Sequence, residues 1–170
     1  NEAKGIEITS IFSHSNKEKA LTLAKENDID HVYTDYAQLL KEDDADFVYI
    51  ALVNNAHYTY VRQALEAQRN VIVEKPFTST LEEAKLLAQM ARERGLYLFE
   101  AVTPLHTPNF QLVKQSIKRI APIHFAQCNF SQYSSRYKRY LQGDIAPAFN
   151  PELGGGALND LNVYNINIIV

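Results

Sequence analysis

Three side chains in this sequence have the chemistry to move a proton on and off a hydroxyl group: Lys75, Asp160 and Tyr164. Oxidising an alcohol needs a base that takes the hydroxyl proton as hydride departs, and the reverse reaction needs an acid at the same place. A phenol with an ordinary pKa near ~10 is a poor base at neutral pH, but a neighbouring ammonium favours its ionised form. Tyr164 is therefore read as proton donor and acceptor. Lys75 is read as its electrostatic activator and a hydrogen-bond donor to substrate, and Asp160 as the acceptor that orients the hydroxyl. Asp160 and Tyr164 stand four residues apart, so on one helix they share a face. Lys75 belongs to Val71-Ile72-Val73-Glu74-Lys75-Pro76-Phe77, an apolar strand that ends in an acid, a lysine and a proline. In open α/β sheets ligands bind beyond the carboxyl ends of the strands, which is where this lysine falls.

These residues need a frame that brings strand ends and a later helix together. Ile6 to Phe12 reads as a strand, and Ser15 with Glu18 makes a capping-box signature for a helix over Lys17 to Glu26. A short helix near Tyr36 to Leu40 precedes Asp46 to Leu52, whose continuous apolar character predicts a strand covered on both faces. After the turn at Asn54-Asn55, the spacing of Tyr58, Val61 and Leu65 predicts a helix, followed by the strand Val71 to Val73. Ser79 and Glu82 form a second capping box, and Leu81, Ala84, Leu87, Ala88 and Ala91 draw a helical stripe that stops near Gly95. A strand at Tyr97 to Phe99 comes next. Phe110, Val113, Ile117 and Ile120 then predict an amphipathic helix before Pro122. The alternation argues for an α/β fold with a doubly wound parallel sheet.

Past Pro122 the pattern changes. Ile123 to Tyr133 reads as one long strand, Ser134 to Leu153 as a polar loop rich in tyrosine, and Ala157 to Val170 as a helix opened by Gly154-Gly155-Gly156. Residues 1–121 are thus expected to form a dinucleotide-binding domain, incomplete at its N-terminus. Residues 122–170 are expected to begin an α+β substrate domain with an open sheet, truncated at its C-terminus. A dinucleotide fold normally opens on a strand and a glycine-rich phosphate turn, yet the first strand here runs into Ser13-His14-Ser15. That strand reads as the second of the sheet. With order 3-2-1-4-5-6 the missing first strand would be central, leaving two halves without a partner between them. The chain is expected to be a fragment of something roughly twice as long, and alone to bind cofactor poorly and be inactive.

Composition narrows the alternatives. The 170 residues are 46% hydrophobic and 22% charged with a net charge of -3, as in a soluble globular domain. The scattered lysines and arginines argue against nucleic acid as a partner. The single Cys128 excludes an intrachain disulfide and suits a reducing cytoplasm. No apolar run reaches the length of a membrane span, and Asn1-Glu2-Ala3-Lys4 lacks the features of a signal peptide. His31, His106 and His124 are too dispersed to suggest a metal site, and no catalytic metal is expected.

Several motifs recur together: Asn54-Asn55-Ala56-His57-Tyr58, Glu74-Lys75-Pro76, Glu100-Ala101, Gly154-Gly155-Gly156-Ala157-Leu158-Asn159-Asp160, and Tyr164. As a set, in this order, they resemble the glucose-fructose oxidoreductase and inositol dehydrogenase family (Gfo/Idh/MocA), and within it the dihydrodiol dehydrogenase-like branch. The resemblance implies a Rossmann-type domain and NAD(P)-dependent hydride transfer at a carbinol carbon of a sugar, polyol or cyclic diol. It also implies a homo-oligomer, a dimer or tetramer built on the sheet of the second domain. Many members carry histidine where Tyr164 stands, and Asn162 replaces a usual glycine. A non-catalytic dinucleotide-sensing protein of the same fold is the alternative.

The resemblance places the adenosine end of the cofactor just after Phe12. An acid there would bind the ribose hydroxyls of NAD and repel a 2'-phosphate, whereas Ser13 and His14 offer donors without negative charge, so NADP is favoured over NAD. Asn54 and His57 are expected beside the dinucleotide, with His57 alternatively just beginning its helix. Glu74 is assigned to the fold or the ribose region, and Lys75 and Pro76 to the cofactor-side turn, whose peptide bond the family analogy makes cis. Glu100 is either near the nicotinamide or a strand-end acid satisfied by backbone amides.

Overall fold

The computed structural model describes residues 5–170, so Asn1 to Lys4 lie outside the described residues. Among the described residues, five parallel strands alternate with helices but divide into two sheets. Strand β1 (Ser10–Phe12) pairs with β2 (His31–Tyr33), and β4 (Asn70–Glu74) lies between β3 (Phe47–Ile50) and β5 (Leu98–Ala101). No ladder joins β1 to β3, in keeping with a sheet whose central strand is not among these residues. What links the halves is side-chain packing and hydrogen bonds. Phe12, Tyr36 and Tyr60 stack with centroids 4.8–5.7 Å apart, and the Tyr36 hydroxyl donates to the Tyr60 carbonyl at 3.2 Å. Thr9 donates to the Asp43 carboxylate at 3.4 Å, and the Arg69 guanidinium donates to the carbonyls of Leu40 and Asp43.

The helices follow from local rules with small displacements. Helix α1 (Lys17–Glu26) forms as expected, but its cap is Asn16, whose side chain accepts from Lys19 N, rather than Ser15. Asparagine caps as well as serine does, and the Ser13 hydroxyl holds Asn16 in place through both its amide and its carbonyl. Helix α2 (Tyr36–Glu42) is capped by Asp35 and helix α3 (His57–Glu66) starts at a histidine. Helix α4 (Leu81–Arg94) carries a reciprocal box made by Thr80 and Glu83, one residue beyond the Ser79 and Glu82 pair expected, and ends at left-handed Gly95. Helix α5 (Pro108–Ile120) completes the set before Pro122.

The core lies between α3, α4 and one face of β3–β5, where Val61, Ala64, Leu65, Val71, Val73 and Leu87 are fully buried. The opposite face departs from expectation. Phe47 and Tyr49 of β3 are 39% and 56% exposed, so this strand is covered on one face only. Phe47, Tyr97 and Phe99 stack on one another across that open face, which removes part of their own surface from water. The expected strand Ile6 to Phe12 shortens to Ser10–Phe12, and that at Tyr97 to Phe99 shifts to Leu98–Ala101. Ile123 to Tyr133 forms no ladder at all, because no described strand lies beside it to accept its backbone groups. Instead of a plain loop, the next segment holds a short helix α6 (Tyr137–Leu141) and two 3-10 turns. No helix among the described residues is long and apolar enough to cross a membrane.

Candidate active site

The parallel strands β3, β4 and β5 all end on one side of the sheet, and each end delivers a polar group. Asn54 follows β3, Lys75 follows β4, and Glu100 is the next-to-last residue of β5. The Lys75-Pro76 bond is cis, as the resemblance implied. Opposite this rim, the chain returns through Gly154-Gly155-Gly156. Gly154 is left-handed at φ +75, and a Cβ on Gly155 would stand 2.3 Å from the Pro147 carbonyl oxygen. Only glycine lets the two backbone segments approach so closely.

That approach sets Asp160 against the sheet rim. The Lys75 ammonium donates at 2.7 Å to Asp160 Oδ1 and at 2.7 Å to the Asp160 carbonyl, with the two side chains 13% and 28% exposed. It also lies 4.8 Å from the centroid of the Tyr164 ring, in cation–π contact. Tyr164 in turn packs on Phe130 with centroids 4.4 Å apart. The three residues singled out for proton chemistry therefore meet in one place.

The way they meet differs from expectation. Residues 157–169 form two helices, α7 (Ala157–Asp160) and α8 (Asn162–Ile169), broken at Leu161, so Asp160 and Tyr164 do not share one helix face. Asn162 opens α8 and accepts from the Asn165 side chain at 3.1 Å, a position where a short amide side chain is at home. The ammonium lies over the ring of Tyr164, while both of its 2.7 Å hydrogen bonds go to Asp160.

Burial pulls the Lys75 ammonium down, but the hydrogen bond and charge of Asp160, helped by Tyr164, outweigh it and hold the group above its ordinary 10.5. A raised folded value means that the stabilising pair is fully present below the unfolded pKa and lost as pH climbs through the folded one. The stability difference between wild type and Lys75→Met should therefore stay level through neutral pH and shrink above 10.5. Urea unfolding at stepped pH measures it, and a difference that persists unchanged into strong alkali would contradict the charge assignment.

The other residues expected at the cofactor divide. His14 is exposed and uncommitted, whereas the Ser13 hydroxyl is already donating to the Asn16 carbonyl and accepting from its amide. Asn54 donates to the Gly154 carbonyl at 2.8 Å, tying the rim to the glycine run. His57 is fully buried, with one ring nitrogen 2.8 Å from the Pro76 carbonyl and the other 3.2 Å from that of Leu52. Glu74 accepts from the hydroxyl of Tyr49, whose phenol is pushed up to about 12 by partial burial and by this carboxylate. Glu100 accepts from Phe77 N at 2.9 Å, the strand-end reading, and burial raises its pKa against the opposing pull of that amide and of His57. The sequence reading assigned no role at the site to Tyr49 or Phe130, and named Gly155 only within its glycine run.

Parallel strands alternating with helices, with polar groups gathered beyond their carboxyl ends, make this an α/β domain of the doubly wound, Rossmann type. The family described as GFO_IDH_MocA, an oxidoreductase family with an NAD-binding Rossmann fold, matches residues 1–102. The chain belongs to that family. It is 34% identical over 164 residues to the uncharacterized oxidoreductase YgjR of Escherichia coli K12, a match that covers 96% of this chain and 50% of that protein. It is 31% identical over 165 residues to scyllo-inositol 2-dehydrogenase (NADP(+)) IolU of Bacillus subtilis 168, covering 97% of this chain and 50% of the relative. The chain thus spans about half the length of these curated relatives. Among solved structures, the 3-ketoreductase KijD10 of Actinomadura kijaniata with TDP-benzene and NADP superposes with a TM-score of 0.61 at 34% identity, covering 66% of this chain and 35% of that one. An NAD-binding protein from Listeria innocua superposes over 99% of this chain and 48% of its own, with a TM-score of 0.74. At 20% identity the latter is a likeness of fold alone.

Proposed function

We propose that this chain is part of a longer dehydrogenase or reductase that moves hydride between a nicotinamide and the carbinol carbon of a sugar-like, polyol or cyclic diol substrate, with NADP preferred over NAD. The observation that supports it is the meeting of Lys75, Asp160 and Tyr164 at the carboxyl end of β4. NADP, when bound, supplies the hydride acceptor or donor. The residues present fit the ends of such a cofactor: an exposed His14 with no acid beside it after β1, and a polar rim after β3–β5. The described residues hold no glycine-rich turn for its pyrophosphate. In this reading Lys75 holds the substrate hydroxyl, Asp160 fixes the ammonium, and Tyr164 passes the proton.

A panel of inositols, sugars and diols, offered with NADP to the full-length protein, tests the proposal at the reduced-nicotinamide absorbance band. Turnover of at least one member is expected. Tight calorimetric binding of NADP with no turnover of any would replace the enzyme by the sensor. Because Ser13 is engaged within its own turn, the 2'-phosphate preference is assigned to His14. His14→Asp should shift the ratio of NADP to NAD affinity towards NAD by about tenfold or more, since a carboxylate accepts from ribose hydroxyls and repels the phosphate. Paired calorimetric titrations measure that ratio.

A further inference from the structure

Tyr164 has to aim its hydroxyl with little help from its own helix. No residue of α8 is buried in the core, and the helix starts afresh at Asn162 after the break at Leu161, so the backbone alone does not fix the rotamer of the ring. Two groups bear on that ring. Lys75 Nζ lies 4.8 Å from its centroid, and the Phe130 ring lies 4.4 Å from it at an interplanar angle of 31°, about as close as stacked rings come. We propose that Phe130 is a positioning residue, whose ring holds the Tyr164 phenol at the Lys75–Asp160 pair and so sets the geometry of proton transfer without touching the reacting atoms.

The chain around Phe130 presents this ring and no other large apolar group. Exposure alternates from Gln127 to Ser131, with Cys128 and Phe130 half-buried and Gln127, Asn129 and Ser131 in solvent. That period of two is the one by which an extended chain turns one face to a neighbour. Ile123, Phe125 and Tyr133 of the same segment are 47%, 81% and 76% exposed, so Phe130 is the large side chain that it sends inward. The two contacts on the Tyr164 ring also differ in permanence. In the proposed reaction the ammonium that now donates to Asp160 turns to the substrate hydroxyl, and its place over the ring changes with it. Phe130 has no donor or acceptor to redirect, so its contact persists through binding and chemistry. Leucine would keep much of the volume but offers no flat face, whereas tyrosine keeps the face.

The inference rests on Tyr164 being the proton-passing group of the proposed site, but its first readout needs no turnover and can fail separately. In full-length protein carrying ring-carbon-13 tyrosine, the Tyr164 signals, identified by their loss in Tyr164→Phe, should be displaced by the ring current of Phe130. The displacement should vanish in Phe130→Leu and persist in both Phe130→Tyr and Lys75→Met. With a substrate turned over in the panel of inositols, sugars and diols, Phe130→Leu should lower kcat by about tenfold or more, because a small misplacement of a reacting group is costly. KM and NADP affinity should stay within about threefold, and Phe130→Tyr should return kcat to near wild type. A Tyr164 ring unmoved in Phe130→Leu, or a kcat that falls equally in the leucine and tyrosine variants, would overturn the inference. Should the leucine variant not fold, the wild-type displacement and its persistence in Lys75→Met decide, and the absence of either counts against Phe130. If no panel member is turned over, the proposed reaction fails while the ring-current result still decides what holds Tyr164.

Discussion

Replacing Lys75 by methionine in the full-length protein should lower kcat by about 10²–10³-fold, the range found when one preorganised charge or donor is removed from a reacting centre. Methionine keeps much of the volume and none of the charge. Two hydrogen bonds of 2.7 Å to Asp160 disappear, and the carboxylate, only 28% exposed, is left without its cation. Tyr164 loses the ammonium 4.8 Å from its ring centroid, and with it a positive charge that would stabilise a phenolate. NADP affinity should change by less than about threefold, because in this reading the lysine orients the substrate hydroxyl and contributes little to holding the dinucleotide. Steady-state kinetics at saturating NADP, with calorimetry in parallel, separates the two quantities. Unchanged turnover would reject the assignment of Lys75.

Gly155→Ala should damage both the fold and the site, by a route unrelated to charge. Its added methyl would stand 2.3 Å from the Pro147 carbonyl oxygen and 2.8 Å from Ala148 backbone atoms, none of which belongs to a flexible side chain. Relieving that overlap requires the 147–148 backbone and the glycine run to separate, at a cost of about 2 kcal/mol. For a chain of this size the melting temperature should fall by about 4–8 °C. The glycine run also carries Asp160 to Lys75, so a displacement of an ångström there should cost about 10²-fold in kcat. Gly143→Ala is the control: its φ is +82 but its Cβ would meet nothing within 4 Å, so it should cost backbone strain alone and leave kcat near wild type. Thermal melts and kinetics on the pair test this contrast, and equal effects on kcat would contradict it.

Long elements with strong periodicity were legible. The helix read from the stripe Leu81 to Ala91 and the apolar run of β4 both form, anchored by buried Leu87, Ala91, Val71 and Val73, although Leu81 at the head of the stripe is 63% exposed. So was the division of the sheet, which followed from a first strand that runs into Ser13-His14-Ser15 rather than a glycine turn. Strand β2 was overlooked, since the three residues His31-Val32-Tyr33 are too few to show a period. The caps slipped by one residue where serine, threonine and asparagine crowd together, because only side-chain geometry decides which of them accepts. The face of β3 left open could not be foreseen from its composition, as an apolar run looks the same whether or not a neighbour covers it.

At the candidate site, the sequence singled out the three polar residues that meet, Lys75, Asp160 and Tyr164, but not the contacts through which they meet. Spacing of four residues suggested that Asp160 and Tyr164 share a helix face, but the break at Leu161 separates them and the meeting comes instead from the close approach of the glycine run. The engagement of Ser13, Asn54 and His57 with backbone groups depends on segments distant in sequence or on a local turn, neither of which a motif records.

A crystal structure of the full-length protein with NADP and a turned-over polyol would test the central claim most directly. The carbinol oxygen should lie within hydrogen-bond reach, roughly 2.6–3.2 Å, of both Lys75 Nζ and Tyr164 Oη, with the nicotinamide on the rim formed by β3–β5. A substrate bound elsewhere, with Lys75 still donating only to Asp160, would contradict it.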